Sequence, residues 1–210
     1  MGASGRAIRL ESARLSTGQF IFRKGEPSEG FYGVVSGAMK ASTLHTDGHE
    51  TILVLIEAGS WFGEVAMVDG LPRTHDICAT EPSQLLRADT ALFNRLMQRA
   101  SFARAIALLQ TRHIRGAFAF MDDANLRTTR ARLARRLQRL ARGDADLGAG
   151  SQRRSFAITH DTLAMMLGVT RQTLSLELKA LAALGAIDLQ YRRIVIVSME
   201  KLKAIGWEML

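Results

Sequence analysis

Thr159-His160-Asp161-Thr162-Leu163-Ala164-Met165-Met166-Leu167-Gly168-Val169-Thr170-Arg171-Gln172-Thr173-Leu174-Ser175-Leu176-Glu177-Leu178-Lys179 is a stretch of two helices broken by a glycine. Thr159 can cap a helix through Met166, Gly168 ends it, and Thr170 can cap a second helix from Arg171 to about Leu184. A threonine oxygen accepts from the first free backbone N–H groups, and glycine tolerates the left-handed residue that closes a helix. Leu163, Ala164 and Leu167 fall on one face of the first helix, Val169 fills the corner, and Leu174, Leu178 and Leu181 anchor the second. Two helices joined in this way form a helix-turn-helix unit, although a helical hairpin used only for packing shares the pattern. The outer face separates the two readings. Arg171, Gln172, Ser175 and Lys179 lie together on it, and arginine can fork onto guanine while glutamine can pair with adenine. With Thr170 and with His160 at the start of the first helix, they are the candidate DNA-contacting residues.

Downstream, Gly185 to Leu189 and Ile194 to Val197 read as two strands around Gln190 to Arg193, a wing whose Arg192 and Arg193 can reach phosphate. Upstream, Leu126, Leu133, Leu137 and Leu140 suggest an amphipathic helix with Arg127, Arg130, Arg132, Arg135, Arg136, Arg139 and Arg142 mostly outward. Arg142 to Gln152 reads as a glycine-rich loop and Phe156-Ala157-Ile158 as a short strand. The 210 residues carry a net charge of +8, concentrated in arginines from Arg104 to Arg142. A basic helix is often only a solvated face, so charge supports the nucleic-acid reading without deciding it.

Before Asp89 the pattern is different. Phe20-Ile21-Phe22, Phe31 to Val35, Thr51 to Ile56, Ile77 to Ala79 and Gln84 to Arg87 are short strand-like runs punctuated by glycine, a small antiparallel β domain. Asp47-Gly48 is a two-residue hairpin signal. Asp89 or Thr90 can then cap a short helix through Met97, and Ser101 a long one towards Met121. One stripe of the long helix holds Phe102, Ile106, Leu109 and Phe120. A second holds Ala103, Ala107, Ile114, Ala117, Met121 and Ala124 at heptad-like spacing, which predicts a parallel dimer; burial all round in a monomer is the alternative. Asp122-Asp123-Ala124-Asn125 follows as an expected hinge. The predicted fold class is α+β with two domains: residues 1–124, a β-roll sensor with its dimerisation helix, and residues 125–210, a winged helix-turn-helix.

Gly63-Glu64-Val65-Ala66-Met67-Val68-Asp69-Gly70-Leu71-Pro72-Arg73-Thr74 joins two of the strands. Glycine permits close backbone approach to an anion, a carboxylate accepts from a ribose hydroxyl, and Arg73 with Thr74 can clamp a phosphate. The same Glu64 and Arg73 can equally form an internal salt bridge. A β domain, this cradle, a long helix and a winged helix-turn-helix, in this order from about Leu15 to Leu202, resemble the cyclic AMP receptor protein and FNR family. The resemblance implies a jelly-roll β-roll, an effector that is a cyclic nucleotide (cyclic AMP or cyclic GMP), and ligand-binding roles for Gly63, Glu64, Arg73 and Thr74. Glu64 would take the ribose, and Arg73 and Thr74 the cyclic phosphate. The chain also departs from the family. Gly116-Ala117-Phe118 stands where cyclic AMP receptors place a threonine and serine pair against adenine, so Phe118 either stacks on a base, favours another nucleotide, or fills the pocket. Leu176 stands where the family usually has arginine, and Glu177 where it has an aliphatic residue.

Cys78 is the only cysteine, so one chain builds no disulfide or all-cysteine metal site. His75 and Cys78, three apart on a strand, point to opposite faces, and neither metal nor haem is expected. Glu64 and Asp69 have no nucleophile or metal cluster beside them, so no enzyme activity is expected. No apolar run has the ~18 residues of a membrane span and no signal pattern leads the chain, which predicts a cytoplasmic protein. The expected partners are a palindromic double-stranded DNA site and a second copy of the chain, with RNA polymerase a further candidate. Three functional readings remain: a nucleotide-gated DNA-binding dimer, a regulator that is constitutive or gated otherwise, and a nucleotide module acting on a partner protein.

Overall fold

The computed structural model describes residues 10–145, 153–191 and 193–208. The chain divides into two compact units, Met1–Ala41 with Leu55–Gln110, and Ser42–Val54 with Thr111–Leu210.

Eight strands come first: β1 (Glu11–Leu15), β2 (Phe20–Phe22), β3 (Gly30–Ser36), β4 (Ala38–Leu44), β5 (Glu50–Glu57), β6 (Trp61–Phe62), β7 (Asp76–Ala79) and β8 (Ser83–Asp89), with helix α1 (Glu64–Asp69) between β6 and β7. They form two four-stranded sheets in the orders β1-β8-β3-β6 and β2-β7-β4-β5. Strand β3 pairs antiparallel with both β8 and β6, setting Tyr32 opposite Arg87 on one side and Phe62 on the other. Phe22 of one sheet meets Tyr32 and Phe62 of the other at ring separations of 6.0 and 6.1 Å. With Leu15, Val34, Ile77 and Leu85 these rings are buried, which is where apolar burial does most of its stabilising.

The five strands read from the sequence are present, and β1, β4 and β6 are additional. Ala38-Met-Lys-Ala-Ser-Thr-Leu lacks the usual β-branched and aromatic run, yet its alternation puts Met39 and Ala41 in the core. The hairpin at Asp47-Gly48 differs from a two-residue turn. Gly48 N–H donates to His45 O at 3.0 Å and His45 N–H to His49 O at 2.8 Å, so Thr46 and Asp47 are the turn centre. Gly48 alone then supplies the left-handed residue, at φ 86°, the geometry of a three-residue loop.

Asp89 caps α2 (Thr90–Met97), accepting from Leu92 N–H at 2.7 Å. Helix α3 (Ala100–Leu126) starts one residue before the expected cap Ser101 and runs beyond Met121, about 40 Å at ~1.5 Å per residue. Its Phe102, Ile106 and Leu109 pack with Phe31, Leu92 and Phe93.

In the second unit α3 continues through Asp122 to Asn125, so the expected hinge is displaced. The break falls at Arg127-Thr128, where the Thr128 hydroxyl caps α4 (Thr129–Arg142). Asp123 is buried, with Arg127, Arg135 and Arg139 at 3.3, 2.5 and 3.2 Å. The arginines of α4 are therefore not an outward face. Arg136 is buried against Asp144 at 2.7 Å, Arg130 pairs with Glu177 at 2.8 Å, and Arg142 is exposed. Leu126 ends α3 and is itself exposed rather than turned inward.

The remaining elements are β9 (Ser155–Phe156), α5 (His160–Leu167), α6 (Arg171–Ala183), β10 (Ile187–Gln190), β11 (Arg193–Ile196) and α7 (Met199–Ile205). The small sheet is ordered β10-β11-β9. Helix α7, not foreseen from sequence, is capped by Ser198 and buries Leu202 and Ile205.

Candidate nucleic-acid interface and anion cradle

Thr159 and Thr170 cap α5 and α6 as the sequence suggests, accepting from Thr162 N–H at 3.0 Å and Thr173 N–H at 3.1 Å. Gly168 closes α5 at φ 64°. Leu163, Leu174, Leu178 and Leu181 are buried completely and Ala164 and Leu167 nearly so. With those faces committed to the core, one side of α6 is left to solvent. Arg171, Gln172, Leu176 and Lys179 are exposed on it and Ser175 is half-buried, while His160 at the start of α5 is half-buried too.

Thr170 is exposed, but its hydroxyl is engaged with the helix cap and lies 3.0 Å from Thr173 Oγ1. Glu177 pairs with Arg130 of α4 at the partly exposed seam between α4 and α6, which engages its carboxylate away from the reading face; the hydrogen bond to Glu177 pushes the pKa of Arg130 up. Arg132 donates to Leu167 O at 2.6 Å, satisfying a carbonyl at the open end of α5,. In the wing, Arg193 donates to Ser155 Oγ at 3.0 Å, and Arg192 lies outside the described residues.

Sequence reasoning missed two residues here, Asp161 and Tyr191, while Leu176 stands out in the sequence as a departure from the family. Asp161 stands 3.6 Å from the Arg171 guanidinium, and its place as an acidic residue in the first turn of α5 was the available signal. Leu176 is 68% exposed and Tyr191, in the wing turn, 91%.

The cradle is built on two left-handed glycines. Gly63 caps α1 at φ 91° and Gly70 closes it at φ 71°. A Cβ on Gly63 would stand 3.0 Å from Arg73 Nη1 and 3.2 Å from Gly30 O, so the side chain of Arg73 uses the space that glycine leaves. Arg73 donates from Nη1 to Gly63 O at 2.9 Å and from Nη2 to Gly30 O at 2.7 Å. Its guanidinium carbon lies 3.9 Å from the Phe22 ring centroid, a cation–π contact. Burial pushes the pKa of Arg73 down, opposed by the nearby Tyr32 and Glu64.

Glu64 and Arg73 are 1% and 4% exposed, so both candidate ligand residues are buried. Arg73 Nε, equally buried, has no hydrogen-bond partner. Two of its five guanidinium N–H groups are used on carbonyls, and three remain for an acceptor. Thr74 is exposed, with Oγ1 2.7 Å from His75 Nδ1. Cys78 is buried in β7. Among the described residues no group of three or more His, Cys, Asp and Glu side chains is placed to hold a metal ion, and no helix is long and apolar enough to cross a membrane. Phe118 is exposed on α3 and does not fill a pocket of its own chain.

A glycine-founded cradle in a β domain, followed by a winged helix-turn-helix with a polar outer face, is the arrangement of a DNA-binding regulator with a separate β domain. Residues 13–100 match the cyclic nucleotide-binding domain and residues 131–205 the Crp-like helix-turn-helix domain. The cyclic AMP receptor protein of Thermus thermophilus is 32% identical over 173 residues, 82% of this chain and 77% of that one. A CRP-like cAMP-activated global transcriptional regulator of Mycobacterium tuberculosis is 25% identical over 195 residues, 92% of this chain and 87% of that one. FixK2 from Bradyrhizobium japonicum shares the fold at a TM-score of 0.81 and 20% identity, covering 94% of this chain and 97% of its own. The chain belongs to the CRP family of DNA-binding transcription regulators.

Proposed function

We propose that this regulator is a homodimer whose affinity for a palindromic DNA site is set by cyclic AMP or cyclic GMP bound in the cradle. Residues 1–124 form the sensor and its dimerisation helix, and residues 125–210 read DNA. The observation that carries the reading is the buried Arg73, whose Nε lacks a partner. A cation withdrawn from water is costly unless an anion or acceptor meets it. The cyclic phosphate supplies that anion, Thr74 supplies a hydroxyl beside it, and Glu64 accepts from the ribose. Gly63 lets the backbone approach. The similarity to the cyclic AMP receptor protein of Thermus thermophilus and to the cAMP-activated regulator of Mycobacterium tuberculosis supports the same chemistry.

On the DNA side Arg171, Gln172, Ser175 and Lys179 meet base edges and phosphates, His160, Thr170 and Arg192 meet phosphates, and the exposed stripe of Ala107, Ile114, Ala117 and Met121 meets its counterpart in the second copy. A constitutive regulator is the second reading, favoured by the two carbonyl bonds that already hold Arg73.

Titration calorimetry with cyclic AMP and cyclic GMP tests the choice. The expected result is saturable heat with one of them, lost in Arg73→Leu, and DNA affinity that rises when that nucleotide is present. Absence of heat with either nucleotide would leave the cradle a structural element of a constitutive regulator.

A further inference from the structure

Arg136 stands on the buried face of α4, in the row of Leu133, Leu137 and Leu140, where an aliphatic residue would fill the space without stranding a charge. It is 3% exposed, and burial pushes its pKa down. Withdrawing a guanidinium from water costs several kcal/mol unless its partners repay it. Those partners come from three separate segments. Nη2 donates to Asp144 Oδ2 at 2.7 Å in the loop after α4 and to Leu53 O at 3.2 Å, and Nε donates to Met166 Sδ at 3.4 Å in α5.

Leu53 is not a chance neighbour. It lies on β5, at the edge of its sheet, where an edge carbonyl lacks a strand partner and needs another donor. The segment Ser42–Val54, the end of β4, the turn and most of β5, forms one compact unit with the helix-turn-helix elements, apart from the rest of the eight N-terminal strands. Met166 is fully buried in the first helix of the helix-turn-helix. The same helix is also held at its C-terminal end by Arg132, one turn before Arg136 on α4, through Leu167 O. Two arginines of one helix thus grip α5, and one of them also grips the hairpin.

We propose that Arg136 is a positioning residue that ties the β4–β5 hairpin to α5, so that a shift of the hairpin moves the reading helix. It rests on the gating reading above. Strands β4 and β5 begin and end in the sheet that carries β7, next to the cradle loop in sequence, and cross into the unit that reads DNA. The Arg136 guanidinium is a donor on α4 that reaches a backbone acceptor on that crossing segment. An ion pair needed only for stability would call for Asp144 alone.

The test uses full-length protein, a duplex selected from a randomised palindrome, and cyclic AMP and cyclic GMP as probes. Nucleotide affinity is measured by calorimetry, and DNA affinity by fluorescence anisotropy with and without saturating nucleotide. The double variant Arg136→Met with Asp144→Leu replaces the buried pair by apolar groups of similar volume, a change folded proteins usually tolerate. Asp144→Asn keeps an acceptor for Arg136 and leaves the Leu53 bond in place. Coupling between two sites is typically about 5–150-fold. The expected result is such a gain in the unmodified protein and in Asp144→Asn, a gain below about twofold in the double variant, and nucleotide affinity and unliganded DNA affinity in the double variant within about twofold of the unmodified values.

A double variant that keeps the full gain overturns the role of Arg136 while leaving gating intact. A double variant that no longer binds nucleotide overturns it as well, because the residue would then act on the cradle. An unmodified protein that binds DNA equally with and without both nucleotides overturns the gating reading itself, and the role of Arg136 with it.

Discussion

Gly63 meets two requirements at once: a left-handed φ of 91° and a space that Arg73 Nη1 occupies. Gly63→Ala must pay for the backbone conformation and displace the guanidinium, and strain of this kind costs roughly 1–3 kcal/mol. Urea unfolding should show a lower midpoint by about that much, and an unchanged midpoint would mean that the loop relaxes freely. On α6 the residue-scale argument turns on which atoms each side chain offers. Arg171 is exposed in the first turn, the part of a reading helix that faces base edges,. Arg171→Ala should cost roughly 1–3 kcal/mol of DNA affinity and relax the preference at one base pair per half-site. Leu176, 68% exposed beside it, can meet a thymine methyl but offers no donor. Leu176→Arg should shift the selected site towards guanine where it faces the duplex, and identical sites selected by the two proteins would show that the helix docks another way.

At the scale of elements, α3 leaves Ile114 and Met121 52% and 57% exposed, a full heptad apart, with Ala107, Ala117 and Ala124 exposed in the same stripe. A long apolar stripe is stabilised when a second copy covers it. Replacing Ile114 and Met121 together with glutamate should give monomers in sedimentation and weaken binding to a two-half-site duplex; an unchanged mass would place the interface elsewhere. The helix-turn-helix was legible in sequence because caps, glycine and leucine spacing are local. The strands were legible where β-branched and aromatic runs mark them, and β4 was not, since its buried partners Met39 and Ala41 carry no such mark. The displaced hinge has a tertiary cause. Asp122-Asp123-Ala124-Asn125 is a poor helical sequence on its own, but Arg135 and Arg139, brought over by α4, neutralise Asp123 and let α3 continue. The cradle was legible as residue types. Its geometry was not, because the carbonyls of Gly30 and Gly63 that hold Arg73 leave no trace in side-chain chemistry.

For the whole molecule, two compact units with their own buried residues make a stability argument that no single element makes. One core gathers Phe22, Tyr32, Phe62, Ile77 and Leu85, and the other Leu133, Leu137, Leu163, Leu174, Leu178 and Leu202. Units that each carry a core can unfold in separate steps. A ligand stabilises only the unit that binds it, by about 2.7 kcal/mol at ~100 times its Kd. For a unit of 60–100 residues each kcal/mol moves the midpoint by roughly 4–8 °C, so the shift should be on the order of 10 °C. Scanning calorimetry should therefore show two transitions, one raised by the effective cyclic nucleotide and the other by a short duplex carrying the selected site. Because cationic side chains such as Lys179 and Arg192 are proposed to meet phosphates, the DNA-raised transition should fall back as salt increases and counterion release loses its force. The nucleotide-raised transition should hold better, since its partner Arg73 is buried and buried pairs are screened less. Equal salt sensitivity of the two would place the nucleotide on the surface instead of in the cradle.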